Sequence, residues 1–109
     1  MITFECIVQE GCVPEDIRPR LTKELARLST SILGGAPEEV EVTYNEIPKG
    51  YGFRGGEPST TSLVRGSIEG CEQEVRVRLL REVGDRWCDI AGCTPDELVV
   101  SIRDRHYQG

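Results

Sequence analysis

The first residues alternate. Phe4, Cys6 and Val8 point one way, and Thr3, Glu5 and Ile7 the other, which predicts a strand over 2–9 closed by Gly11. The period then changes. Ile17, Leu21, Leu25, Leu28 and Ile32 recur at steps of four, four, three and four, one apolar stripe along a helix. Asp16 reads as its N-cap, which puts Pro19 at the third helical position, where an amide has no intrahelical partner. Gly34-Gly35 ends the helix, and a turn at Pro37 feeds a second alternating strand, Val40 to Asn45. Residues 47–60 hold Pro48, Gly50, Gly52, Gly55, Gly56 and Pro58, a loop or loose hairpin of a length that commonly serves function.

Alternation returns from Thr61 to Ile68 and stops at Gly70. A second helix carries Val75, Leu79, Val83, Trp87 and Ile90, weakened by about 1 kcal/mol at Gly84. Thr94-Pro95-Asp96-Glu97 is a capping-box turn into a last strand, Leu98 to Ile102, and a polar tail follows. The halves rhyme: Ala36-Pro37-Glu38-Glu39-Val40-Glu41-Val42-Thr43 matches Thr94-Pro95-Asp96-Glu97-Leu98-Val99-Val100-Ser101. One domain over 1–109 therefore reads as two β-α-β units, 1–46 and 61–109, around the loop 47–60. The helices cover one face of the sheet. The other face still holds apolar residues, which points to an oligomer.

Charge and cysteines narrow the functions. Thirteen Lys and Arg against 19 Asp and Glu leave a formal net charge of −6, a poor match for nucleic acid or an anionic membrane, and neither is expected as a partner. No apolar run approaches the roughly 20 residues of a membrane span, and Met1-Ile2-Thr3-Phe4-Glu5 lacks a signal-peptide layout, so a cytoplasmic location is expected. The five cysteines form no C-x-x-C pair and there is a single His106, which argues against a zinc site; no metal or other cofactor is expected. Reduced thiols acting as small hydrophobes or surface groups are the default.

Two architectures share this order of elements. One is the ferredoxin-like sandwich. The other is favoured by Val13-Pro14 ahead of the first helix, the Pro37 turn, Val42-Thr43-Tyr44-Asn45-Glu46-Ile47-Pro48 before the glycine-rich loop, Gly55-Gly56, Ser62-Leu63-Val64-Arg65-Gly66 and the Pro95-Asp96 turn. In order and spacing these resemble the tautomerase superfamily, in its cis-3-chloroacrylic acid dehalogenase and macrophage-migration-inhibitory-factor branches. The resemblance covers essentially the whole chain. It implies an α+β fold of two β-α-β units related by a pseudo-two-fold, assembled as a homotrimeric barrel. It also implies an amino-terminal proline whose amine, lowered in pKa by an apolar pocket, serves as a general base.

The chain departs from that pattern. Residue 2 is Ile2, so the implied base becomes the α-amine of Met1, with a reference pKa near ~8. Where the dehalogenase branch has two arginines after the third strand, Glu69 and Glu72 stand here, and Ser101 replaces its last-strand tyrosine. A carboxylate substrate would be repelled rather than clamped. The expected catalytic set is Met1 as base with Arg65 and Tyr44 polarising a substrate oxygen; Ile2, Tyr51, Arg54, Ser67, Ser101 and Arg103 are the expected substrate-binding residues. Tyr51 and Arg54 sit in the loop that the resemblance places beside a neighbouring subunit's site. Cys6 and Glu46 read more simply as a core residue and a solvated strand end, and His106 as part of the tail. The implied activity is keto–enol tautomerisation of a neutral or aromatic carbonyl compound; the alternative is a trimeric small-molecule-binding or scaffold protein without chemistry.

Overall fold

Period-two patterning produces four long strands, and the stripes between them two helices. A computed structural model describes residues 2–104, apart from the side chain of Pro58; Met1 and His106 lie outside the described residues. The elements are β1 (Ile2–Gln9), α1 (Arg18–Leu33), β2 (Val40–Ile47), β3 (Phe53–Arg54), β4 (Glu57–Pro58), β5 (Ser62–Ile68), α2 (Gln73–Ala91) and β6 (Leu98–Asp104). The main sheet has the order β2-β1-β5-β6. β1 and β2 are parallel, β5 and β6 are parallel, and β1 runs antiparallel to β5 at the centre. The two strands of each unit are direct neighbours, which is not the split arrangement of a ferredoxin-like sandwich. The expected pair of β-α-β units is what the chain forms. No helix among the described residues is long and apolar enough to cross a membrane.

Both helices pack on one face. Phe4, Cys6, Val8, Val64, Leu21, Leu25, Leu28, Leu79, Val83 and Trp87 make a continuous buried core between sheet and helices. Gly66 on β5 leaves room there for the Phe4 ring; a Cβ would come within 3.1 Å of Phe4 Cε1. The opposite face carries side chains in tiers fixed by the register, two of them polar and one apolar. Thr3, Ser67 and Arg103 form one tier, Glu5, Arg65 and Ser101 the next, and Ile7, Leu63 and Val99 a third.

Two local expectations are corrected, at the start of α1 and the end of β6, and the long loop takes the hairpin form, one of its two expected forms. α1 begins at Arg18 with Ile17, not Asp16, at its N-cap, and Pro19 falls in its first turn. Residues 14–18 first make tight turns, Ile17 donating to the Pro14 carbonyl and Arg18 to that of Glu15, so the helix starts late. The loop 47–60 contains a two-stranded ribbon, β3 with β4. Gly55 and Gly56, at φ 61° and 83°, supply the positive dihedrals that its two-residue turn requires. Finally, β6 runs two residues beyond Ile102.

The rhyme between the halves extends to hydrogen bonds. Ala36 donates its amide to Glu39 Oε1 at 2.9 Å, and Thr94 donates its amide to Glu97 Oε1 at 3.0 Å. At the far end of β1 the buried Gln9 fixes the long loop by donating Nε2 to the Ser59 carbonyl, and Gly52 leaves the space the Gln9 amide occupies.

Candidate functional site

Ile2, at the head of β1, opens onto a cleft of about 440 Å³ between the C-terminal end of α1, the Pro37 turn and the β5–α2 connection. Its floor is apolar, from Ile2, Ile32, Val40, Ile68 and Val75, and its rim is acidic, from Glu39, Glu69 and Glu72. Glu72 is also the N-cap residue of α2, where a carboxylate meets the positive end of the helix dipole. Cys71 lines the cleft and donates its thiol to the Glu72 carbonyl at 3.6 Å. Burial pushes the Cys71 thiol up in pKa, while the nearby Arg76 guanidinium acts the other way.

Arg76 is the residue that sequence reasoning missed. It stands in the first turn of α2, and its Nε is buried with no hydrogen-bond partner among the described residues. Such a donor is costly unless an acceptor arrives. The available signal was spacing: Arg76 precedes the buried Leu79 and Val83 by one and two turns, on the flank facing the sheet.

The structure separates the residues that the sequence grouped. Ile2 lines the cleft. Ser67 and Arg103 lie in the tier of the open face nearest the cleft end of the sheet, and Arg65 and Ser101 lie one tier further in. Arg65 forms an ion pair with Glu5, its register partner on β1. Tyr44 lies on the other face of the sheet, toward the helices. The period-two pattern puts it on the side of Val40 and Val42, beside Cys6. Its hydroxyl donates to the Arg18 carbonyl at 3.2 Å and lies 3.1 Å from the Thr22 hydroxyl, its ring stacks on Trp87, and burial pushes its phenol up in pKa. Arg65 and Tyr44 therefore do not converge on one point within a chain. Met1 lies outside the described residues.

Tyr51 and Arg54 belong to the opposite end of the sheet, one strand length away, or about 24 Å along β1. Tyr51 is 74% exposed, and Arg54 donates to the Asp96 carbonyl at 3.1 Å, docking the β3–β4 ribbon on the turn before β6. Cys6 is fully buried, and its thiol is pushed up to about 12 by burial and then by Glu5, which makes it core. Glu46 accepts from Arg18 at 2.6 Å at the end of β2. Among the described residues no group of three His, Cys, Asp or Glu side chains is placed to hold a metal ion.

No family model matches the chain, and no curated protein matches it in sequence. Solved structures do match. Native Ps01740 superposes with a TM-score of 0.89 at 27% identity, over 94% of this chain and 92% of that one. N1, a member of the cis-3-chloroacrylic acid dehalogenase family, gives 0.86 at 16% identity, over 94% and 73%. A fused 4-OT solved as a symmetric trimer gives 0.82 at 19% identity, over 94% and 84%. The chain therefore has the fold of these structures, the cis-3-chloroacrylic acid dehalogenase family member and the fused 4-OT among them, as the sequence motifs led us to expect.

Proposed function

We propose that this chain is a homotrimeric isomerase that takes a neutral carbonyl compound into the cleft at the head of β1 and interconverts its keto and enol forms. The observation that carries this reading is the cleft itself: an apolar floor that begins at Ile2, under a rim of three carboxylates. Met1 is bonded to Ile2, and in this reading its α-amine is the base. The neutral amine accepts the proton from the carbon beside the carbonyl and hands it to the enolate oxygen, and ketonisation runs the same transfer in reverse, from oxygen to carbon. Arg76 lines the neighbouring pocket with Gln73, Val77, Leu80 and Ile102 rather than the cleft itself, but its charge acts on Cys71 at the cleft and its Nε donor is unfilled, so in this reading it is the cation that turns toward the developing oxyanion; Ser67 and Arg103 lie at the same end of the sheet.

The rim chooses the substrate class. Each carboxylate about 5 Å from a substrate anion costs about 1–3 kcal/mol, depending on exposure. Glu69 and Glu72 together therefore discriminate against carboxylates by enough to decide specificity. The trimer supplies what one chain lacks. Tyr51 and Arg54 lie a strand length from their own cleft and reach a cleft only from a neighbouring copy, and a fused 4-OT with this fold is a trimer.

The test compares ketonisation of phenylpyruvate methyl ester with that of phenylpyruvate, before and after N-terminal acetylation. Faster turnover of the ester, abolished by acetylation, is the expected result. Preference for the free acid overturns the substrate class, and activity that ignores the acetyl group removes the amine from the mechanism. A second reading, ligand binding without chemistry, is favoured by one observation: Arg65 and Tyr44 are held by Glu5, Thr22 and Arg18 rather than aimed at the cleft. Saturable ester binding without turnover would establish it.

A further inference from the structure

The end of α2 brings two thiols together. Gly92 adopts a left-handed conformation at φ 72° and donates its amide to the Cys88 carbonyl at 2.9 Å, which closes the helix and turns the chain back on itself. The residue after such a glycine folds over the last helical turn. Here both contacting residues are cysteines, and Cys93 donates its thiol to Cys88 Sγ at 3.4 Å. Both are half-buried and line a surface cleft of about 760 Å³ alongside Asp85, Asp89 and Leu98, so a small oxidant reaches them. With no third ligand converging among the described residues, the pair is not built for a metal.

We infer that Cys88 and Cys93 form a reversible intrachain disulfide, a redox modification site separate from the cleft at the head of β1. The oxidant is a peroxide. The Cys88 sulfur, as thiolate, attacks one peroxide oxygen: an S–O bond forms, the O–O bond breaks, and the departing hydroxide takes up a proton to become water. Cys93 sulfur then attacks the Cys88 sulfenic acid. The S–S bond forms, the S–O bond breaks, and the hydroxyl leaves as water with the Cys93 proton. Two thiols are oxidised by one peroxide, with two waters as products. Burial and then the Cys88 hydrogen bond hold the Cys93 thiol protonated, at about 12, so Cys88 is the sulfur that meets the peroxide first and Cys93 gives up its proton only as the hydroxyl leaves.

The bond would tie the last turn of α2 to the Thr94–Glu97 turn. That turn also holds the long loop, through the Asp96 carbonyl that Arg54 reaches and the Glu97 carboxylate that accepts from Thr60. Oxidation would therefore fix the docking platform of the β3–β4 ribbon.

The test treats the reduced full chain with a stoichiometric amount of hydrogen peroxide and then alkylates free thiols. Both cysteines fall in one tryptic peptide, Trp87 to Arg103, which contains no other cysteine. The expected product is that peptide lighter by about 2 Da and unalkylated, restored by dithiothreitol. The melting temperature of the oxidised protein should rise by several degrees, a gain that Cys93→Ser and Cys88→Ser each abolish and Cys12→Ser leaves intact. Peroxide that leaves both thiols alkylatable overturns the inference. So do cross-linked chains, or sulfinic acid at one cysteine with the other still free.

Discussion

Single residues decide which chemistry the cleft permits. In the proposed reaction the rim carboxylates of the cleft favour an ammonium and so work against a neutral amine, while the apolar floor works for it. Glu72→Gln removes one such charge and should move the rising limb of kcat/KM against pH about half a unit to lower pH, with the plateau unchanged. A pH profile that stays in place would separate Glu72 from the base. A second titration belongs to stability. Glu97 is held below its ordinary 4.5 by the Thr94 amide, then the Thr94 and Thr60 hydroxyls. Its folded pKa lies under its unfolded one, so this stabilisation is present above about pH 4.5 and is lost as pH falls through the folded value. Urea midpoints measured from pH 6 down to 3 should decline less steeply in Glu97→Gln than in the parent. Not all of this was legible in the chain. The alternation of Val40, Val42 and Tyr44 was plain, yet period two says only that they share a face, not which face the helices cover. Arg76 and the Cys88–Cys93 contact stayed hidden for a related reason, because each depends on how a helix is rotated or how its last turn is capped.

At the level of elements, helix α2 carries a removable weakness. Gly84 sits inside the helix, and a Cβ there would meet Val100 Cγ2 at 3.8 Å, an ordinary contact. Gly84→Ala should therefore add about 0.5–1 kcal/mol, read as a higher urea midpoint with unchanged m-value. Gly66→Ala is the opposite case. Its Cβ would press on Phe4 and Ile102 in a closed core, 3.1 and 3.3 Å away, at a cost of about 1–3 kcal/mol. The strands and helices themselves were readable because period and glycine punctuation agreed over long runs. The start of α1 was not, because Asp16 had the right chemistry for a cap while the tight turns over 14–18 used up the residues it would have capped.

Across the whole molecule, the repeat is the organising fact. Each half makes its own parallel strand pair and lays its own helix over it, and the halves meet along the β1–β5 ladder and the shared helix layer. The sequence exposed this because the two turns into β2 and β6 use matching residues, and the structure repeats even their carboxylate-to-amide bonds. The chain link between the halves is the exposed Gly55-Gly56 turn. A chain severed there should survive as two pieces, 1–55 and 56–109, that reassociate when refolded together and regain the parent far-ultraviolet spectrum, while either piece alone does not. Covalent continuity at that glycine pair would then be a convenience of synthesis and stoichiometry, and the tip of the ribbon a place where foreign sequence can be inserted without disturbing either half.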